Sequence, residues 1–178
     1  MKMSETTAWY FGNEPGHLKA LVGDARKMSQ IIGRSRRILL VVGPKIAEDG
    51  GAQAIAAVKS IPSTNLVMSP KTRPMVRKEG GMNPDAFMNV LEVMDRVRDP
   101  FWKGFDGEGR YDLIIFVGMD YYFASQMFSL LKHFGHGVKS MSLERRYQPN
   151  ASYSFTNLTQ ELWEGEMKKL AEALGGVA

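Results

Sequence analysis

Residues 111–122 read YDLIIFVGMDYY. An uninterrupted apolar run from Leu113 to Val117 stops at Gly118 and gives way to Met119, Asp120, Tyr121 and Tyr122. A short run of this kind, rich in branched residues and closed by glycine, predicts a strand buried on both faces. Such strands belong to parallel sheets covered by helices. The segment ILLVVG at 38–43 carries the same signature, and TNLVMS at 64–69 and VKSMSLE at 138–144 are weaker versions of it.

Helical patterns fall between these strands. The stretch 15–33 opens the series, with Leu18, Leu21, Val22, Ala25, Met28 and Ile32 forming one stripe and Gly33 a natural stop. Residues 49–60 form a small Ala-rich helix, in which Ala52, Ala56 and Ala57 suit close packing on a sheet. Residues 83–97 restart a helix, with Asn83 as N-cap, Pro84 in the first turn, Asp85 toward the dipole, and Phe87, Val90, Leu91 and Met94 as its apolar face. Helices over 121–135 and 159–176, the last opened by Thr159, complete the series. The basic stretch 70–81, the aromatic loop 98–112 and the segment 145–157 read as irregular. Alternation of helices and buried strands predicts an α/β fold of three layers, α/β/α, around a mainly parallel, Rossmann-like sheet. The 178 residues suit one domain spanning 1–178, with no internal repeat or low-complexity linker.

Composition narrows the function. There is no cysteine, which excludes disulfides, a thiolate nucleophile and sulfur ligation of zinc or an iron–sulfur cluster on this chain. The histidines are His17, His133 and His136. With no nearby acid to complete a metal set, His133 and His136 read as a helix-ending and a loop residue. The net charge of +4 is mild, and the basic residues lie in short groups such as Arg34, Arg36 and Arg37. Neither a dense stripe nor a nucleic-acid-binding module is present. No apolar run reaches the roughly 18 residues of a membrane span. Residues 1–13 carry no secretory pattern, so a cytoplasmic protein is expected.

Ligands of open parallel sheets bind beyond the carboxyl ends of the strands, where strand order reverses. Three strand ends are candidates: Gly43-Pro44-Lys45, Gly118-Met119-Asp120-Tyr121-Tyr122 and Glu144-Arg145-Arg146-Tyr147. Glycine there admits either a second backbone or a ligand. The helix that follows could receive a phosphate on its N–H groups, the tyrosines could stack on a flat ring, and arginine could pair with a pyrophosphate. Ordinary turn chemistry explains the glycines equally well. There is no GxGxxG after the first strand, no P-loop and no Ser-His-Asp order, so no active site is assigned.

The segments RRILLVVG (36–43), DPFWKGFDGEGRYDLIIFVGMDYY (99–122) and LERRYQPNASYSFTNL (143–158) together resemble the epsilon-subunit family of the archaeal acetyl-CoA decarbonylase/synthase complex. The matching positions include Asp99, Pro100, Trp102, Gly104, Asp106, Gly107, Gly109, Tyr111 and Asp112, then Glu144, Arg145, Tyr147, Asn150, Ala151, Ser154, Phe155, Asn157 and Leu158. The stretch 70–81 departs from the family pattern in its size and charge. The resemblance implies a non-catalytic accessory subunit of the carbon monoxide dehydrogenase component. It would pair with the large nickel–iron alpha subunit as two alpha plus two epsilon chains, stabilise it, or assist electron transfer to FAD. It also implies a fold similar to the FAD- or NAD-binding domain of thiamine-dependent enzymes. On that basis Gly43, Pro44, Gly118, Asp120, Tyr121 and Arg145 are the expected FAD contacts. Trp102, Phe105, Arg146 and Tyr147 are the expected partner surface, since aromatic and Arg anchors dominate interfaces. Self-association and a stand-alone FAD- or NAD-binding protein are the alternatives.

Overall fold

The computed structural model describes residues 19–47 and 51–175. His17, Leu18 and the segment 1–13 lie outside them. Seven strands form one parallel sheet: β1 (Leu21–Val22), β2 (Ile38–Val42), β3 (Asn65–Met68), β4 (Ala86–Phe87), β5 (Leu113–Val117), β6 (Lys139–Ser142) and β7 (Tyr153–Ser154). Their spatial order is β1-β7-β6-β5-β2-β3-β4. The chain steps from β2 outward to β4, then returns to β5 on the other side of β2. Strand order therefore reverses between β2 and β5, where Val42 is in register with Val117.

Both central strands are buried along their whole length. Alternation divides their side chains between two cores. Leu40, Val42, Ile115 and Val117 face a layer made by α1 (Ala25–Arg34), α2 (Gly51–Ser60) and α6 (Gln160–Ala173). Leu39, Val41, Ile114 and Phe116 face α4 (Val90–Arg98) and α5 (Tyr121–Phe134). The three-layer expectation holds. Among the described residues no helix is long and apolar enough to cross a membrane.

Five local expectations are corrected. Leu21 and Val22 are not helical: they pair with Tyr153 and Ser154 as β1, and α1 begins after Asp24, whose carboxylate accepts the Lys27 N–H at 2.9 Å. Gly33 does not stop that helix, which continues to Arg34. The helix expected over 83–97 starts at Val90 with Asn89 as its cap, because Ala86 and Phe87 are drawn into the sheet edge beside Val67 and Met68. Residues 70–81 are not irregular: a single 3-10 turn, Pro70–Thr72, leads into α3 (Arg73–Glu79), which buries none of its side chains. In α2 the buried face is Ala54, Ala57 and Val58, and Ala52 and Ala56 point to solvent.

Candidate functional site

Two of the sequence motifs lie at opposite ends of the sheet. The loop 99–112 sits where β2 and β5 begin, since Asp112 accepts the backbone N–H groups of Arg36 and Arg37 at 2.8 and 3.2 Å. The Tyr111 hydroxyl is its hub: it donates to Asn65 Oδ1 at 2.6 Å and accepts the Phe105 N–H at 2.9 Å. Burial pushes the Tyr111 phenol above its ordinary value. Trp102 packs edge-on against Phe105 at 5.2 Å and against Tyr111 at 5.7 Å. Arg37 bonds Asp106 at 2.6 Å and the Gly109 carbonyl at 3.2 Å; its guanidinium holds the Asp106 carboxyl below the usual carboxylate range. Gly104, with a φ of 81°, has Gly109 O only 2.8 Å from where a Cβ would stand. This motif is a self-bracing loop. Trp102 and Phe105, both expected at a partner surface, are partly buried within it, whereas Phe101 is 85% exposed.

The strand-end motifs meet at the other end of the sheet. Gly43 and Gly118 follow the paired residues Val42 and Val117, and they close on each other. A Cβ on Gly43 would overlap the Gly118 carbonyl; one on Gly118, whose φ is 72°, would lie 2.6 Å from Ile46 N. Of the two uses that glycine leaves open, a second backbone or a ligand, the structure shows the backbone. The donors are committed as well. Gly43 N–H donates to Val117 O at 2.8 Å, Lys45 N–H to Gly118 O at 2.9 Å and Met119 N–H to Glu144 Oε1 at 2.8 Å. Asp120 caps α5 by accepting the Tyr122 N–H at 3.2 Å. These backbone groups are therefore not offered to a phosphate.

A cleft of about 110 Å³ opens beside this turn, lined by Lys45, Gly118, Tyr121, Glu144, Arg145 and Gln148 among others. A second cavity of about 420 Å³ lies on the other flank, where Pro44, Ser69, Lys71, Asn89, Asp120 and Phe123 meet. The expected FAD contacts are thus divided: Gly118, Tyr121 and Arg145 line the first, Pro44 and Asp120 the second, and Gly43 lies buried under the turn. Arg146 lines the first cleft from an exposed position. Tyr147, expected at the partner surface, is instead 4% exposed, with its hydroxyl donating to Ala20 O at 3.0 Å. Its ring is buried in one core with Ala20 and Ala151, so it offers a partner no surface.

Two cleft residues carry roles that the sequence reading did not assign. Glu144 belongs to the third candidate strand end, Glu144-Arg145-Arg146-Tyr147, with no inward role expected of it. Its carboxyl instead turns inward to Met119, and desolvation raises its pKa to about 7 against the pull of the Met119 N–H and Lys45. Gln148 is fully buried; its Nε2 donates to the Tyr121 carbonyl at 3.0 Å, which leaves Oε1 as an acceptor without a donor among the described residues. Nothing in RRYQPN distinguishes that glutamine from a solvated one. Among the described residues no group of three His, Asp or Glu side chains is placed to hold a metal ion.

Fold and site together define a Rossmann-like α/β domain whose glycine turn is closed on itself. The chain belongs to the CO dehydrogenase beta subunit/acetyl-CoA synthase epsilon subunit family, whose model matches residues 14–174. It is 31% identical over 156 residues to the acetyl-CoA decarbonylase/synthase complex subunit epsilon of Methanothermobacter thermautotrophicus, covering 87% of this chain and 88% of that protein. The subunit of the same name in Methanocaldococcus jannaschii is 42% identical over 145 residues, 82% of each chain. Subunit epsilon 1 of Archaeoglobus fulgidus is 36% identical over 138 residues, covering 75% of this chain and 72% of that one.

Proposed function

We propose that this chain is the epsilon subunit of the carbon monoxide dehydrogenase component of an acetyl-CoA decarbonylase/synthase complex. In this reading it binds the large nickel–iron alpha subunit as two alpha plus two epsilon chains and stabilises it, without a catalytic group of its own. The observation that carries the reading is family membership over residues 14–174 of a chain with no cysteine. Such a chain depends on another subunit for nickel and iron–sulfur chemistry. Docking uses Phe101, the large apolar side chain that the self-braced loop leaves outside, while Trp102 and Phe105 hold the loop that presents it. Phe101→Ala is expected to weaken binding of the large subunit by about 1–3 kcal/mol, as anchor truncations do, with the melting temperature unchanged. Biolayer interferometry under anaerobic conditions measures it, and unchanged affinity removes Phe101 from the interface.

A second reading, contact with FAD and electron transfer, has one feature in its favour. The cavity of about 420 Å³ lies at the strand ends and falls within the roughly 300–1,000 Å³ of ligand pockets. The committed donors of the glycine turn weigh against a pyrophosphate on that turn. A flavin-fluorescence titration, with and without the large subunit, tests it: saturable quenching supports the reading, and none in either case removes it.

A further inference from the structure

The smaller cleft is the place where the chain leaves its own chemistry unfinished. Gln148 cannot turn its amide to relieve Oε1, because Nε2 is already committed to the Tyr121 carbonyl. A buried acceptor without a donor costs about 1–3 kcal/mol, and a bound group with an N–H or O–H offsets it. The charges around the cleft specify the rest. Lys45, Arg145 and Arg146 line it together with Glu144. Lys45 leans toward Asp120 at 3.4 Å, and Arg145 enters no ion pair among the described residues. Cations here favour an anion, while Gln148 Oε1 is an acceptor and rejects one that has no proton to give. A space of about 110 Å³ holds one small ion and not a flavin ring.

From this placement we propose that the cleft binds a small protonated oxyanion of the phosphate class, its oxygens on Arg145 and its O–H donated to Gln148 Oε1. The site is separate from FAD contact, since the pyrophosphate of a flavin dinucleotide carries no proton at neutral pH. It also does not depend on partner docking, because Phe101 stands at the opposite end of the sheet. Free phosphate keeps a proton in both of its forms at pH 7, and a phosphate monoester shares this chemistry through its monoanion, the minor form at that pH.

Inorganic phosphate and sulfate titrated into the full chain at pH 7, followed by nitrogen–proton correlation spectra, test the proposal. Phosphate is expected to bind saturably and to shift the Gln148 side-chain amide. Sulfate, of the same shape but without a proton, is expected to bind at least about tenfold more weakly. Arg145→Gln, on the cleft wall, should lose the phosphate response while keeping the spectrum of a folded chain. Gln148→Met should bring phosphate and sulfate to equal affinity; its melt checks the fold, and Arg145→Gln carries the test if that variant unfolds. Adenosine monophosphate distinguishes the sources: tighter binding than free phosphate, with the same amide shifted, assigns the site to a monoester, and weaker binding assigns it to the free ion. Equal affinity of phosphate and sulfate for the wild-type chain, no response at millimolar phosphate, or a response that Arg145→Gln retains would each overturn the proposal.

Discussion

Gly118 carries two constraints at once, a left-handed φ of 72° and an Ile46 nitrogen 2.6 Å from any Cβ. A branched side chain there costs roughly 1–2 kcal/mol for the backbone and about 1–3 kcal/mol for overpacking. Gly118→Val is therefore expected to lose about 3 kcal/mol in a urea melt, before any ligand is considered. A loss below about 1 kcal/mol would mean that the turn is looser than its contacts imply. Glu144 gives a pH signature. Its carboxyl titrates at about 7 when folded against 4.5 otherwise. Between those values the folded chain keeps a proton that the unfolded chain has released. Its contribution is therefore complete below pH 4.5 and is lost as pH rises through 7. Glu144→Gln keeps an acceptor for the Met119 N–H and removes that slope, worth up to about 3 kcal/mol. Relative to wild type, the variant is expected to gain stability between pH 5 and 8. Parallel slopes would place the carboxylate in water.

At the scale of elements, the loop 99–112 is held by one phenol. Tyr111→Phe strands Asn65 Oδ1 and the Phe105 N–H, so a cost of about 1–3 kcal/mol is expected. A changed Trp102 emission should accompany it, since Trp102 packs on that ring. Unchanged stability and emission would show that the loop is braced by Arg37 and Asp106 instead. The elements legible in the sequence were those with long local signals. The apolar runs of β2 and β5 state their burial outright, and Thr159 marks the start of α6, whereas the capping role of Asp120 at α5 emerges only in the structure. The elements missed are the two-residue strands β1, β4 and β7 and the short helix α3. Leu21 and Val22 fit a helical stripe as well as a strand, and only pairing with Tyr153 and Ser154 decides between them. Asn83-Pro84 mimics a helix start, but Ala86 and Phe87 gain more from the edge of β3. The same limit applies to the site. Glycine at a strand end shows that something approaches closely, and only the fold shows that Gly43 and Gly118 approach each other.

As a whole molecule, the protein is a nucleotide-type fold with its glycine turn sealed, an apolar Phe101 displayed at one end of the sheet and an unsatisfied polar cleft at the other. The family is named for subunits of a larger enzyme, and the role proposed for this chain is assembly. Sedimentation velocity of this chain mixed with the large nickel–iron subunit of the same organism tests that role most directly. One faster species with the mass of two large and two small chains is expected, with no free small chain at equal stoichiometry. Two independent boundaries, each at the position of its separate component, would contradict it.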